Sequence, residues 1–101
     1  MTRRAPLLDI VSAIAGLRVE FPTTQWYGFG SFFNGRHSFS DIDVLAVCAN
    51  ETELLGLRQA IEHVAMDWPI HLIVMTKIEE AETDFVVRQG CRLLEDSNVL
   101  E

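Results

Sequence analysis

The stretch GFGSFFNGRHSFSDID, residues 28–43, contains residue types suited to a phosphate and metal site. Gly30 lets a phosphate approach the backbone N–H groups closely, and the Ser31 hydroxyl adds a donor. Asp41 and Asp43 flank Ile42, and residues two apart in a strand point to the same face. Adjacent carboxylates repel unless one is protonated or a divalent cation lies between them, and Mg²⁺ prefers oxygen ligands. The alternative is an ordinary turn followed by a strand that begins with acidic residues.

The surrounding apolar patterns predict the elements that position these residues. A helix is expected from Pro6 to about Arg18, and Asn50 with Glu53 predicts the N-cap and reciprocal acid of a second helix. A third helix is expected from Lys77 to a stop at Gly90, with a short helical turn after Ser31. Strands are expected at QWYGF (25–29), DIDVLAVC (41–48), IHLIVMT (70–76, apolar enough to be central) and CRLLE (91–95). This order predicts an α/β fold, a mixed β-sheet with helices packed on it.

Length, charge and cysteine content limit the classes of protein to which this chain can belong. A chain of 101 residues predicts a single domain over 1–101. The net charge of −7 argues against an extended nucleic-acid surface, and no apolar run is long enough to span a membrane. Asp9 interrupts the apolar stretch after Arg3 and Arg4, which favours a helix over an export signal. Cys48 and Cys91 have no metal-site spacing, so reduced thiols and a cytoplasmic location are expected.

The segment YGFGSFFNGRHSFSDIDVLAV, residues 27–47, resembles the signature of the nucleotidyltransferase superfamily that includes DNA polymerase β. It is most similar to the minimal nucleotidyltransferases (MNT type) of bacteria and archaea. Their pattern is a hydrophobic residue, Gly, then Gly or Ser, a loop of about ten residues, and Asp-hydrophobic-Asp. Gly30-Ser31 and Asp41-Ile42-Asp43 match it, as do Gly35 and Ser40. A nucleotidyltransferase-like fold over most of the chain is therefore expected.

The resemblance implies Mg²⁺-dependent transfer of a nucleoside monophosphate, AMP from ATP in the first instance, to a hydroxyl acceptor. Gly30 and Ser31 would bind the terminal phosphates, and Asp41 and Asp43 would bind two metal ions. Some small members are antitoxins that pair with a helical HEPN-type protein and modify it with AMP, so such a partner is expected. A homo-oligomer is a further expectation, because so small a domain needs something to form the acceptor side of its cleft.

Two positions depart from the family pattern. The arginine usually found before the mid-loop glycine is Asn34 here, and Arg36 follows that glycine instead, either as a triphosphate contact or as an exposed loop arginine. His71 stands where active members carry a third carboxylate on the third strand. It is interpreted as a general base, a substrate contact or a strand histidine bonded to a neighbour.

The acidic residues after the third strand offer a substitute for the missing carboxylate, or simply a solvated first helical turn. They are Glu79, Glu80, Glu82 and Asp84. Three hypotheses therefore stand: an active nucleotidyltransferase, a catalytically degenerate module that binds nucleotide or a partner, and a structural protein without nucleotide function.

Overall fold

The computed structural model describes residues 4–33, 42–63 and 70–94, and their side chains apart from those of residues 4–11 and 31–32. Helices and strands alternate along this part of the chain. In order they are α1 (Arg4–Glu20), β1 (Gln25–Phe29), α2 (Gly30–Phe33), β2 (Ile42–Cys48), α3 (Glu51–Ile61), β3 (Ile70–Thr76), α4 (Lys77–Thr83), α5 (Phe85–Arg88) and β4 (Arg92–Leu93). The order confirms the predicted α/β class.

The four strands form one mixed sheet in the order β3-β2-β1-β4. β2 runs parallel to β3 and antiparallel to β1, and β1 is antiparallel to β4. The prediction that β3 is central was wrong, because β3 pairs only with β2 within the described residues and lies at an edge. An apolar strand sequence indicates that both faces of the strand are covered. It does not indicate how many strands flank that strand.

Helices cover the two faces of the sheet unequally. Val44, Ala46 and Cys48 of β2 pack with α1 and α3 in the larger cluster, which also contains the buried Trp26. Leu45 and Val47 face the other way, toward the smaller cluster with Phe85 and Val86 of α5. This alternation follows from the two-residue period of a strand. It also assigns Asp43, an odd-numbered residue of β2, to the α4–α5 face.

Side-chain caps fix the starts of α3 and α4. Asn50 caps α3 as predicted, because its side chain accepts a hydrogen bond from the Glu53 backbone N–H at 2.9 Å. The Glu53 carboxylate does not reach back to Asn50 and instead accepts hydrogen bonds from Thr23 and Thr24. The reciprocal capping box occurs at α4, between Thr76 and Glu79. Three backbone N–H groups at helix starts are thereby satisfied from within the chain, those of Glu53, Thr76 and Glu79.

The predicted helix after β3 is interrupted. Asp84 adopts a left-handed conformation, with φ 53° and ψ 36°, and separates α4 from α5. Aspartate tolerates this conformation better than most residues, so the break falls there. Gly90, with φ 62°, follows the end of α5, where a stop was expected.

Both cysteines are free thiols, as predicted; Cys48 is buried as well, whereas Cys91 is only half-buried. Burial, followed by the nearby Glu80 carboxylate, raises the pKa of Cys91 to about 11. In the part of the chain that the structure describes, no helix combines the length and apolar character needed to cross a bilayer.

Candidate active site around Asp43

Three strand ends meet at Asp43. It lies opposite Phe29, the last residue of β1, in the antiparallel pair. It lies opposite His71, the second residue of β3, in the parallel pair. The glycine that follows Phe29 is thereby brought to the same end of the sheet as Asp43 and His71.

Asp43 and His71 contact each other directly. Nδ1 of His71 lies 3.1 Å from Oδ1 of Asp43, and the exposed fractions of the two side chains are 61% and 23%. An ionised carboxylate only accepts hydrogen bonds, so Nδ1–H of His71 is the donor. In the neutral ring this leaves Nε2 as an acceptor of protons or hydrogen bonds. The pair therefore presents a partly exposed, carboxylate-oriented imidazole at the end of the sheet.

Gly30 accommodates the other oxygen of the Asp43 carboxylate. Its φ of +79° lies in the left-handed region that favours glycine. A Cβ built on Gly30 would collide with Oδ2 of Asp43. The carboxylate thus packs directly against the backbone at the junction of β1 and α2, which only glycine permits without movement of Asp43.

Gly28 also shapes this junction, and sequence analysis did not single it out. A Cβ at Gly28 would lie 2.6 Å from ring atoms of Phe33. The absence of a side chain lets the Phe33 ring pack onto β1, which holds the short α2 against the sheet. A glycine inside an aromatic strand indicates such a close approach, so the signal was available.

The structure brings together three of the predicted site residues: Gly30, Asp43 and His71. The backbone of Ser31 lies in α2, directly after Gly30. The side chain of Ser31 lies outside the described residues, and so do Asp41 and Arg36 in full. Their predicted roles in phosphate and metal binding stay predictions.

Two of the acidic residues of α4, Glu79 and Glu80, are engaged near their own helix. The Glu79 side chain accepts a hydrogen bond from the Thr76 backbone N–H at 3.0 Å. The Glu80 carboxylate accepts one from the Val86 N–H at 3.5 Å. Among the described residues, no group of three or more His, Cys, Asp or Glu side chains is arranged to hold a metal ion. A third carboxylate beside Asp43 is therefore not provided by the described part of α4.

Asp43 fits a magnesium ion better than His71 does. The Asp43 carboxylate is partly exposed at a strand end, and carboxylate oxygen is a ligand type that Mg²⁺ uses. Imidazole nitrogen suits transition metals instead, and Nδ1 of His71 is already bonded to Asp43. The donor set therefore fits metal binding through Asp43, with His71 beside the ion as an orienting or proton-accepting group.

The contact between Asp43 and His71 was the main feature that sequence analysis missed. Both residues were candidates, yet their pairing was not predicted. Each is the second residue of a seven-residue apolar strand, Ile42–Cys48 or Ile70–Thr76. Aligning the starts of two parallel strands would have placed them side by side.

Comparison with solved structures agrees with this architecture. A chain described as "putative nucleotidyltransferase" superposes with a TM-score of 0.63 at 23% identity, covering 84% of this chain and 97% of that one. A second structure so described, from Sulfolobus solfataricus, has a TM-score of 0.64 at 21% identity and covers 90% and 80%. No protein-family model matches the chain, and no curated protein does. The mixed sheet, its helices and these two likenesses together show that the chain has the nucleotidyltransferase fold.

Proposed function

We propose that this protein is a Mg²⁺-dependent nucleotidyltransferase that moves a nucleoside monophosphate from a nucleoside triphosphate to a hydroxyl group. The observation that carries the proposal is the meeting of Gly30, Asp43 and His71 at one end of the sheet. A glycine turn, a carboxylate and an oriented imidazole at one place are parts that such a transfer can use.

Each proposed site residue has a distinct task in the reaction. The turn at Gly30 accepts the terminal phosphates, with the Ser31 hydroxyl as an additional donor and Arg36 as a triphosphate contact. Asp43, together with Asp41, would hold the metal ions. When bound, those ions supply charge neutralisation of the triphosphate and of the leaving pyrophosphate.

His71 is the proposed general base. Asp43 orients its ring through Nδ1, so Nε2 receives the proton of the acceptor hydroxyl as that oxygen attacks the α-phosphorus. A new bond forms between the acceptor oxygen and the α-phosphorus. The bond from the α-phosphorus to the oxygen bridging it to the β-phosphate breaks, and pyrophosphate leaves with that electron pair.

The proposal extends to the donor, the acceptor and the setting. We expect ATP as the donor and a hydroxyl of a partner protein or a small molecule as the acceptor, in the cytoplasm. A helical HEPN-type partner, with this chain as its antitoxin, follows from the sequence resemblance. The net charge of −7 supports a protein or small-molecule acceptor over a long nucleic acid.

A second function is supported by the residue beside Asp43. Histidine occupies the place of a third carboxylate, and within the described residues no acidic group replaces it. A chain without that ligand can retain nucleotide and partner binding while losing transfer. The alternative is therefore a nucleotide-binding or partner-binding module that neutralises its partner by contact.

Incubation with α-labelled triphosphates and Mg²⁺, with and without candidate acceptors, tests the proposal. Transfer of label is expected with the wild type and not with Asp43→Asn or Asp41→Asn. Glu82→Gln, which removes an exposed carboxylate from α4, is the matched control and should keep full transfer. Magnesium-dependent thermal stabilisation by a triphosphate without transfer would support the binding module instead. If no triphosphate is transferred and none stabilises the chain, the transferase and the nucleotide-binding module are both excluded.

Two substitutions of His71 test whether its ring acts as the general base and whether the missing third carboxylate limits transfer. His71→Asn should lower transfer by about 100-fold, because a general base is lost. His71→Asp restores a carboxylate at the third position. A gain of transfer in His71→Asp would show that the missing ligand limits the wild type, whereas an unchanged rate in His71→Asn would contradict the role as base.

A further inference from the structure

The ring of Phe33 and the backbone of Gly30 lie on opposite faces of the sheet, although both residues belong to α2. Phe33 packs against the larger core cluster on the α1–α3 face, where a Cβ at Gly28 would lie 2.6 Å from its ring. Gly30 contacts the carboxylate of Asp43, which belongs to the α4–α5 face. The four residues of α2 therefore cross the end of the sheet from one face to the other.

α2 is too short for its two ends to move independently. Gly30 is its first residue and Phe33 its last, so the whole element is about a single turn of helix. Packed interiors transmit displacements, because few voids are present to take up a shift. A movement of the Phe33 ring relative to β1 is therefore expected to move the Gly30 backbone relative to Asp43.

A second contact between a phenylalanine ring and a glycine provides a comparison. A Cβ at Gly56 would lie 3.3 Å from the ring of Phe21, which packs against the same larger cluster and is also half-buried. Phe21 precedes β1, whereas Phe33 follows it. The two contacts therefore involve opposite ends of β1, and that of Phe33 is the one joined to Gly30 by α2.

We propose that Phe33 is a positioning residue for Asp43 and His71. Its ring, seated over Gly28, fixes α2, and the Gly30 backbone at the other end of α2 then limits where the Asp43 carboxylate can lie. The same carboxylate accepts a hydrogen bond from Nδ1 of His71 at 3.1 Å. Phe33 thus sets the orientation of the imidazole through Gly30 and Asp43.

This inference deepens the proposed function and rests on it for its catalytic meaning. The proposed reaction needs Nε2 of His71 free to accept a proton, which is the tautomer that donates Nδ1–H to Asp43. That tautomer is measurable in the chain alone, without nucleotide, metal or acceptor. A wild type that transfers no nucleotide would remove the proposed function and leave the tautomer result standing, so the two failures are distinguishable.

Nuclear magnetic resonance of the imidazole nitrogens tests the positioning. In the isotope-labelled chain, at a pH where the ring of His71 is neutral, the nitrogen shifts show which nitrogen carries the proton. We expect mainly the Nδ1–H form in the wild type. Phe33→Leu and Gly28→Ala should each lower the ratio of Nδ1–H to Nε2–H by about threefold or more, because the hydrogen bond to Asp43 is weakened.

Phe21→Leu is the matched control, because it makes the same change at the other end of β1. It should destabilise the chain while leaving the tautomer ratio of His71 unchanged. Phe33→Leu removes atoms from a half-buried position, so the test does not depend on the folding of Gly28→Ala. An unchanged ratio in Phe33→Leu would overturn the proposal. So would an equal change in Phe21→Leu, or a wild type that is mainly in the Nε2–H form.

Discussion

At the scale of residues, Asp43 couples two neighbours through the two oxygens of one carboxylate. Oδ1 bonds to the ring of His71, and Oδ2 packs against the backbone of Gly30. A movement of the carboxylate away from either neighbour alters its relation to the other. Substitutions at Gly30 and His71 are therefore not independent in their effects on Asp43.

Gly30→Ala should destabilise the chain by about 2 kcal/mol, because it combines an unfavourable left-handed conformation with displacement of Asp43. Urea denaturation measures the change in the free energy of unfolding. The same variant should lose triphosphate binding, since the added methyl group turns the carboxylate away from His71.

Two other glycines serve as controls for the two causes of this destabilisation, the left-handed backbone conformation and the displacement of Asp43. Gly90 also has a positive φ, of +62°, but a Cβ there meets no atom within 4 Å, so Gly90→Ala should cost only about 1 kcal/mol. Gly16 lies inside α1 with equally open space, and Gly16→Ala should stabilise the chain by about 0.5–1 kcal/mol. Equal costs for Gly30→Ala and Gly90→Ala would contradict the collision with Asp43.

At the scale of elements, Glu53 connects the start of α3 to the loop before β1. Its carboxylate accepts hydrogen bonds from the hydroxyl groups of Thr23, at 2.6 Å, and Thr24, at 2.5 Å. These two bonds are the main cause of the lowered pKa of Glu53. The ionised form is thus favoured in the folded chain, and the contact couples two segments that are far apart in sequence.

Glu53→Gln should lower the free energy of unfolding by about 1 kcal/mol at neutral pH, because a neutral amide accepts these hydrogen bonds less strongly. The pKa of Glu53 is lower in the folded chain than its ordinary value of 4.5. Its contribution to stability is therefore complete above about pH 4.5 and is lost as the pH falls through the folded-state pKa. Urea denaturation at several pH values measures this, with Glu51→Gln on the same helical turn as the control. A difference between wild type and Glu53→Gln that persists at strongly acidic pH would refute this explanation.

The sequence predicted the positions of individual strands more reliably than the pairing between strands. Strand patterns placed β1, β2 and β3 well, because a short run of apolar, β-branched or aromatic residues is a property of each segment alone. The edge position of β3 and the opposition of Asp43 to His71 depend on pairing between segments distant in sequence, which composition does not encode. The break at Asp84 was missed because acidic residues are common both in helices and at left-handed positions.

At the scale of the whole molecule, the site lies on the more thinly covered face of the sheet. α1 and α3 cover the face of Val44 with the buried side chains of Ile14, Leu17, Leu54 and Leu57, whereas α4 and α5 contain no buried residue. Asp43 and His71 share the face of α4 and α5 and keep part of their surface exposed. That arrangement leaves the proposed nucleotide site at the strand ends partly exposed, and the likeness to the two solved structures covers 84% and 90% of this chain.

A nuclear magnetic resonance titration tests most directly whether this end of the sheet binds a nucleotide. The isotope-labelled chain is titrated with Mg²⁺ and a non-hydrolysable ATP analogue, and the backbone amide shifts are followed. The account predicts saturable shifts at Gly30, Asp43 and His71, no shift at Val19 near the end of α1, and loss of the response in Asp43→Asn. Shifts confined to other parts of the chain, or none for any triphosphate analogue, would contradict it.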